Sequence, residues 1–245
     1  MSLPRTASRI LDSSAYLIID IASQLLLLIM SYFSRIGQAE WFDLLISWVV
    51  LVIGFSLVIG GRRVPSIDLI IVSALGVGTG FLLHELAHKF MAQRYGYWAE
   101  YRANRSGLLI IIVMSFMGFL LAAPGAVMIQ KVSNPYQPTA YSHGEDKIKA
   151  RKEQFWISLA GPMTNIILAV LFLALLGSGI MASRVLMNAV YFAFFINLYL
   201  AAFNLIPFGP LDGRKIFEVN RLVWAIVAVP TILAALSVLL GIRIV

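Results

Sequence analysis

Apolar residues run through this chain in long unbroken blocks, without the alternation of a half-buried strand or the single stripe of a surface helix. Five blocks, Trp41–Ile59, Ile67–Tyr95, Phe155–Gly177, Val185–Ile206 and Leu222–Leu240, each approach or exceed the roughly 20 residues that a helix needs to cross a hydrocarbon core. A sixth, Ala15–Phe33, is interrupted by Asp20 and Gln24 four residues apart. It reads either as a span with a polar stripe or as a helix lying in the interface. A seventh, Leu108–Ile129, is long enough to span, but Pro124-Gly125 near its end breaks a helix. The expected architecture is an all-α polytopic membrane protein, a bundle of about six transmembrane helices with a short membrane-inserted re-entrant or strand segment.

Composition sharpens this. Of 245 residues, 60% are hydrophobic and 13% charged, and the mean hydropathy is +0.87. A soluble domain carries about 25% charged residues, so a single globular cytosolic fold is excluded. No cysteine is present, which removes disulfides, thiolate metal sites and cysteine nucleophiles. The net charge of +7 does not point to nucleic acid, because no basic run is interleaved with aromatics in a soluble segment. It fits topogenic Lys and Arg in short cytoplasmic loops.

The polar segments Tyr97–Arg105 and Lys131–Glu153 flank Leu108–Ile129, and both are basic. If that block enters and returns on one side, thirteen of the 19 Lys and Arg residues fall on the side where Tyr95 ends, and six on the other. A full crossing would cancel this positive-inside bias. Re-entrance is therefore expected, with the Tyr95 side cytoplasmic. Lys131–Glu153 is expected to be the one real loop.

Two of the three histidines lie in Leu83-His84-Glu85-Leu86-Ala87-His88. On a helix, His84 and His88 stand one turn apart on the same face and can share one Zn²⁺. Glu85 lies about 100° round from His84, close enough to take a proton from a reacting water without being a ligand. Three ionisable groups in an apolar helix are costly unless paired or metallated, which argues against a purely structural role. Gly76 and Gly80 precede the histidines at the same four-residue spacing, so this stripe admits another helix closely.

A catalytic zinc takes three protein ligands and keeps one position open. His143 lies in the polar loop, which leaves Asp20, Asp43, Asp68 and Asp212 as acidic candidates. Asp212 stands out for its setting, Asn204-Leu205-Ile206-Pro207-Phe208-Gly209-Pro210-Leu211-Asp212-Gly213. Unwound backbone at membrane depth is tolerated only where it lines a cavity or site.

H-E-L-A-H followed by N-L-I-P-F-G-P-L-D-G resembles the site-2 protease family of intramembrane zinc metalloproteases. The likeness covers Ile67–Asn220. It takes in Pro124–Ile129, similar to the family's membrane-inserted strand, and a helix beginning Ala160-Gly161-Pro162-Met163-Thr164-Asn165. No PDZ-like or cystathionine-synthase-type domain is inserted. The resemblance implies His84, His88 and Asp212 as ligands of one zinc ion and Glu85 as the catalytic base. It implies that Asn204 holds the substrate carbonyl or stabilises the developing oxyanion. It also implies that Pro124, Gly125, Ala126, Val127 and Asn165 meet the substrate.

Residues 1–245 are accordingly expected to form a single membrane-embedded protease domain, with a catalytic core at about 67–220 and peripheral helices at 15–59 and 222–241. Its partners are expected to be single-pass or helical membrane protein substrates and the bilayer, with no nucleic acid. The expected reaction is hydrolysis of peptide bonds in or near transmembrane segments, releasing membrane-anchored regulators, at a site nearer the cytoplasmic face. Three alternatives stand beside it. A prenyl-protein type of membrane zinc protease would need a downstream Glu ligand, and here the downstream glutamates lie in or beside basic loops or after the Asp212-Gly213 turn. A metal transporter would want an internal repeat and further intramembrane ligands. A metal-binding scaffold without turnover would have no use for Glu85.

Overall fold

The computed structural model describes residues 36–61, 63–120, 124–131, 145–180 and 183–241. By internal contacts the chain divides into two compact units, Met1–Trp41 and Phe42–Val245. Ala15–Phe33, Asp20 and His143 lie outside the described residues. In order, the elements are α1 (Gln38–Ile59), α2 (Ile67–Val77), a π turn (Gly78–Leu82), α3 (Leu83–Arg94), β1 (Tyr97–Ala103) and α4 (Arg105–Met117). They continue with β2 (Gly125–Lys131), α5 (Glu145–Gly177), α6 (Arg184–Asn204), α7 (Asp212–Val219) and α8 (Arg221–Leu239).

Five helical stretches are long and apolar enough to cross a membrane: Gln38–Ile59, Ile67–Arg94, Lys147–Gly177, Arg184–Asn204 and Arg221–Leu239. Their outward faces carry Ile53, Val170, Leu171, Ile226 and Leu233, all exposed from the protein. Helices satisfy their own backbone, so these apolar faces are stable only against lipid. The protein is an integral membrane protein.

Helix ends follow local chemistry. Ser66 caps α2 by accepting the Leu69 N–H at 3.4 Å, Asn104 caps α4 through the Gly107 N–H at 3.2 Å, and Asn220 caps α8 through the Val223 N–H at 3.0 Å. Each such cap contributes about 1 kcal/mol. The π turn joins α2 to α3 within one long span, and it parts the small-residue stripe from the histidines. A β-carbon at Gly76 would strike Phe192, and one at Gly80 would meet Leu200 and Ile196, all on α6. The histidines beyond the turn bond instead to α5. The four positions expected on one stripe thus serve two neighbours, because a π turn changes the angular phase of the helix beyond it.

Leu108–Ile129 does not form one helix; it is divided between α4 and β2. α4 is 13 residues long, too short to cross. β2 then pairs antiparallel with β1, with Lys131 opposite Tyr97 and Gly125 opposite Ala103. The Asn104 N–H closes the end of the ladder on the Pro124 carbonyl at 2.8 Å.

Two expectations shift. Tyr97–Arg105, expected to be a polar connection, is mostly strand β1, with Ala99 and Tyr101 buried on one face. Lys131–Glu153, expected to be all loop, becomes helical at Glu145, so α5 begins ten residues before Phe155. Apart from Asp146 and Ile148, the early turns of α5 are Lys, Ala, Arg, Glu and Gln, strong helix formers that carry no apolar period to betray them.

Candidate active site

α3 presents His84 and His88 one turn apart, and both are buried. Their Nε2 atoms lie 3.0 Å from each other. The chain returns to them through the break after α6. There the Leu205 carbonyl, freed from the helix ladder, accepts the Trp224 indole N–H at 2.8 Å. Asp212, first residue of α7, then places Oδ2 3.6 Å from His84 Nε2 and 3.0 Å from His88 Nε2. Its other oxygen, Oδ1, faces Lys215 Nζ at 3.4 Å.

The far side of each imidazole is fixed from α5. His88 Nδ1 lies 2.7 Å from the Ile157 carbonyl, which can only accept, so that nitrogen carries the proton. His84 Nδ1 lies 3.2 Å from Asn165 Oδ1, while Asn165 Nδ2 donates to the Gly80 carbonyl at 3.2 Å. Both Nε2 lone pairs are then bare and face the Asp212 carboxylate. Three electron-pair donors meet at one point, the demand of a cation. Ligand atoms 2.0–2.1 Å from a tetrahedral zinc stand about 3.3 Å from one another, against the 3.0–3.6 Å seen here. The donor set fits zinc. Gly161 makes room for it, since a β-carbon there would run into His88 Nε2 and His84 Nε2.

A cavity of about 510 Å³ opens on this group, lined by Glu85, Asn204, Pro124, Gly125, Ala126 and Val127 among others. The Val127 backbone N–H meets the Glu85 carboxylate. Backbone groups alternate in direction along an antiparallel pair. With the Pro124 carbonyl bonded to β1, those of Gly125, Val127 and Ile129 point away from β1, toward the open edge. Tyr97 stands at the rim of the cavity, donating its hydroxyl to Glu153 Oε2 at 2.6 Å. Burial first, and then this carboxylate, push its hydroxyl up to about 12.

Two expected residues sit differently. Asn165, expected among the substrate contacts, is fully buried behind His84 and does not line the cavity. Both ends of its amide are engaged there, with His84 and with Gly80. Asn204 does line the cavity, and one of its amide protons already goes to the Leu200 carbonyl at 3.0 Å. Of the other acidic candidates, Asp43 pairs with Arg102 at 3.6 Å, and Asp68 lines a separate cavity beside Arg184. Lys215 and Ile157 escaped the sequence reading. Lys215 has a signal, its i,i+3 spacing from Asp212 on a helix. Ile157 has none, because it acts through its carbonyl.

Apolar spans around a two-histidine, one-carboxylate zinc site with an adjacent glutamate define a membrane metalloprotease. The family model for peptidase family M50 matches residues 72–183 and 178–242. The chain belongs to that family, the site-2 protease family. It is 39% identical over 199 residues to "Putative zinc metalloprotease MJ0611" of Methanocaldococcus jannaschii, covering 81% of this chain and 93% of that protein. It is 30% identical over 146 residues to "Putative zinc metalloprotease YwhC" of Bacillus subtilis, covering 56% of this chain and 64% of the other. With "Putative zinc metalloprotease Rip3" of Mycobacterium tuberculosis it shares 25% identity over 195 residues, 74% of this chain and 42% of the other. No solved structure matches significantly.

Proposed function

We propose that the chain is an intramembrane endopeptidase that hydrolyses peptide bonds in or near the transmembrane segments of other membrane proteins, releasing membrane-anchored regulators. One observation carries this reading: Glu85 and the His84–His88–Asp212 group face a cavity bounded by a strand edge that has no backbone partner among the described residues, among helices built for lipid. Zinc, when bound there, supplies a Lewis acid that polarises the scissile carbonyl and makes water a nucleophile near neutral pH.

The remaining chemistry belongs to the chain. Glu85 takes the proton of the attacking water and returns it to the leaving amine, a transfer worth typically about 10²–10⁴ in rate. The Val127 N–H holds the Glu85 carboxylate on the cavity side. Asn204 keeps one amide proton for the substrate carbonyl oxygen, where negative charge develops. A transmembrane substrate arrives helical, with its carbonyls bonded within itself, so it must unwind first. The outward backbone groups of Gly125 and Ile129 offer replacements, as in strand addition. The positive-inside count supports entry of water from the cytoplasmic side.

The test is Glu85→Gln beside Asp212→Asn, with zinc content and cleavage of a transmembrane reporter measured on the same preparations. Glu85→Gln should keep zinc and lose cleavage; Asp212→Asn should lower zinc occupancy. Unchanged cleavage by Glu85→Gln would sink the reading, and full zinc in Asp212→Asn would remove Asp212 from the ligand set.

A further inference from the structure

We infer that an apolar recess beside the catalytic cavity is a side-chain subsite, which receives one large apolar side chain of the substrate within three residues of the scissile bond. The inference rests on the protease reading above and names a determinant of which sequences are cut.

The recess has a volume of about 100 Å³. Phe81, Pro124, Leu200 and Phe203 border both it and the catalytic cavity, so the two spaces are neighbours across one shared wall. Beyond that shared wall it is lined by Leu51 and Phe55 of α1, Ile111 of α4, and Ile196 and Tyr199 of α6, among others. The Tyr199 hydroxyl is the one polar side-chain group among its lining residues. A buried water needs two to four polar partners, so water is a poor occupant and an apolar group a good one.

Two spacings fix the distance from the chemistry. Phe81 lies three residues before His84, a rise of about 4.5 Å along the helix. Pro124 lies three residues before Val127, whose N–H meets Glu85, or about 10 Å of strand. A substrate laid extended along β2 advances about 3.3 Å per residue. The recess is therefore reached one to three residues from the bond that Glu85 attends.

The experiment uses the full chain in membranes with a single-span reporter. Each position within six residues of the cut carries Ala, Leu, Phe or Trp in turn. Wild type should show one position within three residues of the cut where Leu or Phe is cleaved about tenfold or more faster than Ala, the scale of a filled apolar pocket. Leu51→Phe, which narrows the recess, should move that preference toward Ala. Phe55→Ala, which widens it, should move it toward Trp. Both variants should carry zinc at the wild-type level, which reports that they have folded. A preference absent from wild type, or one that neither variant moves, overturns the subsite while leaving the protease standing. Reporter release equal in wild type and Glu85→Gln overturns both.

Discussion

The two walls of the catalytic cavity are built on opposite plans. The wall from α3 and α5 is complete: His84 and His88 have their Nδ1 atoms bonded to α5, Asn165 uses both ends of its amide, and all three are buried. The wall from β2 is unfinished. One edge is paired to β1, while the backbone groups of Gly125 and Ile129 on the other point outward with no backbone partner given by the two-stranded ladder. A metal must be held in one geometry, so the chain supplies every contact on that side. In the proposed reaction a substrate comes and goes, and the outward backbone groups on the other side would be left for it to bond. Changes to the first wall should therefore act on zinc, and changes to the second on cleavage with zinc retained.

The largest break should come from Gly161→Ala. The added methyl would press against the imidazole Nε2 atoms well inside van der Waals contact, and a ring that retreats gives up its bond to α5. Purified protein should carry little zinc by elemental analysis and show background cleavage. Full zinc occupancy would mean that the wall yields, contrary to the rigidity assigned to it.

Next is Asn165→Ala, which leaves the His84 ring free to turn. Loss of such an outer partner typically lowers metal affinity by 10–100-fold. Chelator competition should show a weakening of that order, with cleavage restored by added zinc. Restoration separates weakened metal binding from a damaged substrate site.

The unequal legibility of the sequence follows the same division. His84, Glu85 and His88 are legible because a helix translates spacing into direction, and Asp212 because proline and glycine at membrane depth demand a reason. The long apolar spans are legible by length alone. β1 is not, since Trp98, Glu100 and Arg102 alternate with Ala99 and Tyr101 over only 7 residues, and their polarity resembles that of a loop. Nor is the place of Asn165. Its motif marks it as important, but only the approach of α5 to α3 sets it behind a histidine and outside the cavity lining. The Ile157 carbonyl belongs to the backbone, and no side chain advertises it.

On the strand wall, Ile129→Pro removes one outward N–H and leaves the ladder intact, because Ile129 sits at a position whose backbone groups face away from β1. Losing one hydrogen bond to the substrate should lower kcat/KM by roughly threefold to tenfold, with zinc content unchanged. Equal cleavage would remove the strand edge from substrate binding. Lost zinc would show that the two walls are not separate.

The smallest effect tests a side-chain hydrogen bond between β1 and α5. Tyr97 opens β1, and its hydroxyl donates to Glu153 on α5. Burial and then Glu153 raise that hydroxyl from its ordinary 10 to about 12, so the folded protein favours the protonated, neutral form. This stabilisation is therefore present in full below pH 10 and is lost as the pH climbs through about 12. Tyr97 is half-buried and solvent screens the contact, so its worth is at most about 1 kcal/mol. Tyr97→Phe should therefore unfold at a temperature lower by no more than roughly 2–4 °C below pH 10, a difference that vanishes toward pH 12. Cleavage should change by less than about threefold. A tenfold loss of cleavage at constant zinc and constant stability would show that the strand is held in register from α5, and that the wall receiving the substrate is positioned by the wall holding the metal.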